Sequence, residues 1–248
     1  MTLTQFFTLY PKAALAFSGG VDSAYLLYAA KQSGADVRAY YVKTPFQPQF
    51  EYEDAIRLAR QLDVPMITLE ADVLADPAIA ANPCNRCYLC KKQIFTMIGW
   101  QADKDGYPLV LDGTNASDNA ADRPGMQALA ELGIRSPLRE CGLTKEEIRA
   151  LSKDAGLFTH DKPAYACLAT RFPTHMPITK ERLTAVERSE HFLRNLGFRD
   201  FRVRLTESGA KLQLTENQLP LLLRHRETIL QALKKDYSAV LLDLEVRQ

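Results

Sequence analysis

Short apolar runs alternate with polar, helix-forming stretches through the first hundred residues. Residues 13–17 read as a buried strand, 18–23 as a tight polar turn and 24–32 as a helix. The pattern then repeats, with a strand near 37–42, a helix over about 52–62 and a strand near 66–69. Strands joined through helices at this spacing need crossover connections, which predicts a parallel sheet covered on both faces. After a loop over 70–82 the pattern predicts a helix through Trp100, then a strand over 108–111 that ends at Asp112-Gly113-Thr114-Asn115. Open parallel sheets bind ligands beyond their strand ends, so Asp112, Thr114 and Asn115 become site candidates. Thr144-Lys145-Glu146-Glu147 matches a capping box for a helix to about Asp154.

From Pro173 the texture changes. Thr179 caps a predicted helix to Asn195, 201–205 and 211–214 read as strands, Thr215-Glu216-Asn217-Gln218 is a second capping box, and 240–244 closes the chain. The expectation is an α/β protein: a parallel-sheet, Rossmann-like domain over 1–172 and a smaller α+β domain over 173–248.

At 248 residues the chain can bury a core without staples, and 31 basic against 30 acidic side chains leave no overall field toward nucleic acid or an anionic membrane. The opening Met1-Thr2-Leu3-Thr4-Gln5 lacks a charged start before an apolar stretch, and later apolar runs are too short to span a bilayer. A cytoplasmic enzyme is expected. Five cysteines are an odd number, which argues against a disulfide scaffold, and Cys84, Cys87 and Cys90 lie close enough to ask for a metal or redox explanation.

Ser18-Gly19-Gly20-Val21-Asp22-Ser23 offers paired glycines, a hydroxyl at each end and the free amides of a helix start, a geometry suited to anionic oxygens. Asp22 would repel a bare phosphate, so its expected work is magnesium binding or holding the loop. No Gly-Lys-Ser/Thr follows, and the three-glycine dinucleotide fingerprint is missing. Cys87-Tyr88-Leu89-Cys90 could place two thiolates on one metal, with Cys167 a distant third and Cys84 a fourth ligand or a spare. Structural zinc, a thiol–disulfide pair or plain helix-start cysteines remain alternatives. Arg86, Lys91 and Lys92 could stabilise thiolates or a phosphate, or form a solvated face. Asp118 and Asp122 are candidates to help with magnesium, and Arg171 to reach a phosphate or carboxylate. Arg202 and Arg204 share one strand face at period two. Cys141 reads as a local structural thiol, Trp100 as a packing residue, and the four histidines form no metal set.

The turn resembles that of the N-type ATP pyrophosphatases, the PP-loop superfamily. Further strings narrow the likeness to the LarE-like sulfur transferases of nickel-pincer nucleotide cofactor biosynthesis: 82–91 around the cysteines, Asp112 to Asn115, Asp122-Arg123-Pro124-Gly125, Arg135-Ser136-Pro137-Leu138, Asp161-Lys162-Pro163 and Ala166-Cys167-Leu168-Ala169-Thr170-Arg171. The resemblance implies a PP-loop adenine nucleotide alpha hydrolase-like domain that binds ATP and Mg2+ through Ser18, Gly19, Gly20, Asp22 and Ser23. It implies adenylation of a pyridine dicarboxylate mononucleotide and replacement of carboxylate oxygen by sulfur, with Cys167, Asp22 and Ser18 as catalytic candidates. In one branch of the family the cysteine matching Cys167 gives up its own sulfur. In another, three cysteines hold a [4Fe-4S] cluster, and retention of Cys87, Cys90 and Cys167 favours that branch. The likeness also makes Arg202 and Arg204 candidates for the substrate phosphate.

Implied partners are a small phosphorylated carboxylate substrate, a sulfide or other sulfur donor and further copies of the chain as a homo-oligomer, without membrane or nucleic acid. Glu190 matches an acidic position linked with metal handling, whereas Gln213 and Leu221 stand where acids are expected, and no glycine follows Phe172-Pro173. Two alternatives stay open: tRNA thiolation or another PP-loop sulfur chemistry, and a zinc-stapled nucleotide-binding protein without catalysis.

Overall fold

A computed structural model describes residues 1–118 and 124–247. The chain folds as two compact units, Met1–Val73 with Asn85–Lys162, and Leu74–Cys84 with Pro163–Gln248.

In the first unit β1 (Lys12–Ala16), β2 (Asp36–Lys43), β3 (Met66–Glu70) and β4 (Val110–Leu111) form an all-parallel sheet in the order β3-β2-β1-β4. Its middle is buried from both sides: Ala13, Ala14 and Leu15 of β1 and Ala39, Tyr40 and Tyr41 of β2 are almost fully enclosed. Continuous apolar runs mark such strands, since neither face meets water. The helices Val21–Gln32, Gln49–Gln61 and Lys145–Asp154 arise where expected, the last with its complete Thr144–Glu147 capping box. A helix that the periodicity did not announce, Leu3–Leu9, opens the chain with its own Thr2–Gln5 capping box and buries Phe6 and Phe7.

Strand order reverses at β1, whose neighbours are β2 on one side and β4 on the other. The crevice beyond the carboxyl ends of β1 and β4 is therefore the switch point, where such sheets bind ligands. The 18–23 turn leaves β1 and the 112–115 segment leaves β4 at that place. An isolated parallel bridge from Leu111 to Arg135 continues the pairing beyond β4.

The second unit holds a mixed sheet. β5 (Arg202–Thr206) and β6 (Gly209–Gln213) form an antiparallel hairpin, and β7 (Ala239–Leu242) joins β6 in parallel. Val186 and Leu193 of the Thr179-capped helix Lys180–Asn195 are buried, as are Val203 and Leu212 of the hairpin. The 70–82 stretch is more ordered than expected, containing the short helix Pro77–Ala80, capped by Asp76.

Two expectations are corrected. The second capping box does not form: the Thr215 hydroxyl donates to Asn217 Oδ1 at 2.6 Å, Glu216–Gln218 is a single 3-10 turn, and the following helix, Leu219–Arg224, starts with Pro220. Trp100 is not packed but 68% exposed, with the Lys104 ammonium 5.4 Å from its ring centroid. Its helix, Arg86–Lys104, buries Phe95, Ile98 and Ala102 instead, a spacing that leaves position 100 off the buried face. Among the described residues no helix is long and apolar enough to cross a membrane.

Candidate active site

The polar turn is built around two glycines with different duties. Gly19 has φ +73°, and a Cβ there would lie 3.0 Å from Cβ of the buried Ala55, so backbone conformation and close approach both require glycine. Gly20 caps the Val21–Gln32 helix with no side-chain hydrogen bond, so no capping side chain occupies the helix's first amides. Ser23 braces the turn from inside: its buried hydroxyl donates to Gly20 O at 3.2 Å and lies 3.2 Å from Ser18 Oγ. Ser18 is exposed. The β4 exit presses on this brace, because a Cβ on Gly113 would stand 3.0 Å from Ser23 N.

Asp22 is held from two sides. Lys145 Nζ lies 2.5 Å from its Oδ2, and Asn115 Nδ2 donates to its Oδ1 at 3.3 Å. Lys145 is the first residue of its helix, where a cation opposes the helix dipole, so the Asp22 carboxylate offsets an unfavourable placement. That misplaced charge is a signal in the sequence, yet the sequence reading used Lys145 only as part of a capping box. Lys145 N also donates to Ser117 Oγ at 2.9 Å, fastening this helix to the segment beyond β4.

Asp112, Thr114 and Asn115 are all buried. Asp112 accepts from Ser136 Oγ at 2.6 Å, from Thr114 N at 3.3 Å and from the Thr114 hydroxyl, so these residues shape the strand exit among themselves. Asn115 reaches the turn through Asp22 while its Oδ1 accepts from Ser117 N at 2.8 Å. Asp118 Oδ2 accepts from Asn115 N at 3.1 Å. Asp122 and Arg123 lie outside the described residues. Lys162 is set between Glu51 and Asp54, at 2.7 Å from each.

Cys87 and Cys90 occupy the start of the Arg86–Lys104 helix, three residues apart and so on one face, with Cys87 exposed and Cys90 half-buried. Arg86 Nη2 lies 3.7 Å from Cys87 Sγ. The neighbouring lysines turn elsewhere: Lys92 pairs with Glu131 at 3.1 Å, and the Lys91 stem packs where a Cβ on Gly125 would be. Cys141 packs against the core, and burial raises its thiol pKa. Cys84 and Cys167 belong to the second unit, the former exposed and the latter half-buried. Among the described residues no group of three or more His, Cys, Asp or Glu side chains is gathered to hold a metal.

Within the second unit Cys167 leads into the turn Leu168–Arg171, and its carbonyl accepts from Thr170 N at 3.0 Å and Thr170 Oγ1 at 2.8 Å. Arg171 is 1% exposed and forms a two-pronged pair with Glu190, at 2.7 and 3.0 Å. Burial opposes the charge on Arg171, but the Glu190 hydrogen bonds and charge raise its pKa above the ordinary arginine value. Arg202 and Arg204 do share a strand face, as period two requires. Burial, then the Arg171 and Arg247 charges, push Arg202 down to about 10. Gln213 accepts from Arg204 Nε at 2.5 Å and donates to Asp243 at 2.8 Å, so an acid just beyond the neighbouring strand β7 stands behind the neutral amide. Arg171, Arg204, His175, Arg182, Lys211 and Tyr237 are among the residues lining a groove of about 1200 Å³ in this unit.

A family model for the queuosine biosynthesis protein QueC matches residues 12–82. An uncharacterized protein of Synechocystis sp. is 38% identical over 88% of this chain and 81% of its own length. The pyridinium-3,5-bisthiocarboxylic acid mononucleotide synthase of Lactiplantibacillus plantarum is 32% identical over 84% of this chain and 76% of its own. A tRNA-specific 2-thiouridylase MnmA of Clostridium perfringens is 27% identical over 61% of this chain and 53% of its own. With the glycine turn at the switch point of a parallel sheet, these relations show that the chain belongs to the PP-loop superfamily of ATP-using adenylating and sulfur-transferring enzymes, in the family of the L. plantarum synthase.

Proposed function

We propose that the chain adenylates a carboxylate of a pyridine dicarboxylate mononucleotide with ATP and replaces one carboxylate oxygen by sulfur. The observation that carries this reading is the Asp22–Lys145 pair at the mouth of the Ser18–Ser23 turn. It puts a carboxylate for a cation and an ammonium for phosphate oxygens beside unclaimed helix amides. The relation to the L. plantarum synthase supports the choice of acceptor.

In this reading the turn amides and the Ser18 hydroxyl bind the β and γ phosphates. The substrate carboxylate attacks the α phosphorus, the bond to the bridging oxygen breaks, and pyrophosphate leaves into the turn. A single carboxylate beside phosphate oxygens fits Mg2+, which keeps waters and takes few protein ligands. Asp22 would hold it, and when bound it neutralises phosphate charge. Lys145, beside Asp22 at the mouth of the turn, would place its ammonium against the oxygens of the departing pyrophosphate. Asn115 keeps the Asp22 carboxylate oriented.

A sulfur nucleophile then attacks the acyl carbon and AMP leaves with the former carboxylate oxygen. Cys87 and Cys90, one turn apart with thiolate chemistry, fit two ligands of a [4Fe-4S] cluster and Cys167 would be the third. When bound, such a cluster supplies an open iron for exogenous sulfide. Arg204, half-buried on the groove, is the better placed of the two strand arginines to meet the substrate phosphate. Assembly as a homo-oligomer belongs to the same reading.

Substrate carrying heavy oxygen in its carboxylates tests the chemistry: the label must appear in AMP. Unlabelled AMP would refute carboxylate adenylation. A second reading, thiolation of a tRNA base, is favoured by the likeness to the C. perfringens 2-thiouridylase. It predicts pyrophosphate release that depends on tRNA and falls steeply with salt.

A further inference from the structure

Glu190 is 1% exposed on the Lys180–Asn195 helix, and its carboxylate is surrounded by donors. Oε1 accepts from Arg171 Nε at 2.7 Å and from Val203 N at 2.9 Å. Oε2 accepts from Arg171 Nη2 at 3.0 Å and from the Tyr165 hydroxyl. An ionised carboxylate has about four acceptor sites, so this one has none left for a cation.

The three arginines around it act on the backbone rather than on one another's partners. Arg202 Nη2 donates to Ala164 O, Arg171 Nη1 to Ala166 O at 3.1 Å, and Arg204 Nη1 to Thr170 O at 3.0 Å. These carbonyls lie before and after Cys167, so the thiol sits in a segment gripped on both sides. Glu190 governs all three grips: it holds Arg171 directly, and through Val203 N it fixes the strand position between Arg202 and Arg204.

We propose that Glu190 is the positioning residue for Cys167, anchoring an arginine clasp of Arg171, Arg202 and Arg204, and that it is not a metal ligand. The inference rests on Cys167 being the reacting or ligating thiol. It revises the sequence expectation that tied Glu190 to metal handling. The clasp also has functional direction. Of the three arginines only Arg171 bonds the Glu190 carboxylate directly, which leaves Arg204 open to an anion that competes with its grip on Thr170 O and so couples substrate phosphate to the set of Cys167.

The test uses the full chain, treated with chelator, in two variants, Glu190→Gln and Tyr165→Phe. Iodoacetamide alkylation of Cys167 is followed by peptide mass spectrometry, with Cys141 of the first unit as internal reference. The expected result is a rise in the Cys167 rate of at least about tenfold in Glu190→Gln, the scale of one lost charge-assisted hydrogen bond. Tyr165→Phe, which keeps the ion pair, raises it less but in the same direction, and it serves alone should Glu190→Gln lose its cooperative melt. Sulfur-transfer kcat falls while the KM for ATP stays, a split that general unfolding would not give. Mn2+ titration of Glu190→Gln matches the wild type. Cys167 rates within about twofold of wild type in a folded variant, well under one such hydrogen bond, would overturn the clasp. Loss of a wild-type Mn2+ isotherm in Glu190→Gln would overturn it by making Glu190 a ligand. The alkylation readout needs no turnover, so it stands apart from failure of the proposed sulfur transfer.

Discussion

Replacing Gly19 by alanine separates the two glycines of the turn. At φ +73° an alanine costs about 1–2 kcal/mol in backbone sterics. Its Cβ would also meet Ala55 Cβ at 3.0 Å and Ala55 Cα and N at 3.1 Å, backbone and side chain on the buried face of the Gln49–Gln61 helix, which adds about 1–3 kcal/mol of overpacking. Gly19→Ala is therefore expected to destabilise by about 2–5 kcal/mol. Gly20 supplies the contrast. Its φ of −79° suits any residue and its added Cβ meets only the Ser18 hydroxyl, at 3.4 Å, so Gly20→Ala costs about 1 kcal/mol or less. Urea titrations followed by circular dichroism measure both. Adding Ala55→Gly removes one of the three close contacts, so the double variant is less destabilised than the sum of its parts by about 1 kcal/mol. Equal costs at positions 19 and 20, or strict additivity with Ala55→Gly, would refute the reasoning.

Asp22→Asn keeps the shape but removes the charge facing Lys145, and is expected to lower pyrophosphate release on the order of a hundredfold, read in a coupled phosphate assay. Lys145→Met lowers the same rate by at least about tenfold and also weakens pyrophosphate binding measured calorimetrically. Cys167→Ala loses sulfur transfer and keeps ATP affinity. EDTA abolishes pyrophosphate release, and added Mg2+ restores it. Glu140 accepts hydrogen bonds from Arg135, which hold its carboxyl below the usual value of 4.5. A depressed folded-state pKa gives stability that is present above the unfolded value and lost as pH falls through the folded one. Glu140→Gln should thus lose about 1 kcal/mol or less at pH 7, and its melting temperature should converge on wild type in acid.

The first sheet was legible because strands buried on both faces must be apolar throughout, and Gly19-Gly20 with Asp22 and Ser23 announced the turn. Reading 108–111 as a strand put Asp112 to Asn115 beyond a strand end, although only Val110 and Leu111 pair with β1, and the reversal of strand order at β1 is a tertiary property that no local pattern marks. Lys145 escaped because its partner lies 123 positions away, and only the dipole mismatch hints at it. The same applies to the clasp. Period two put Arg202 and Arg204 on one face, but their acceptors, Ala164 O and Thr170 O, are backbone atoms that no pattern marks. Trp100 and Thr215 departed from expectation for local reasons: hydrophobicity does not guarantee burial, and the Thr215 oxygen accepts from the Gln218 side-chain amide at 2.6 Å instead of from a helix N–H.

The central claim is tested most directly by incubating the anaerobically purified chain with ATP, Mg2+, sulfide and pyridine-3,5-dicarboxylate mononucleotide. Pyrophosphate and product mass are followed together. Pyrophosphate release is expected to require the dicarboxylate, with a product heavier by one exchange of oxygen for sulfur. Pyrophosphate release that ignores the dicarboxylate, or that appears only with tRNA, would contradict it.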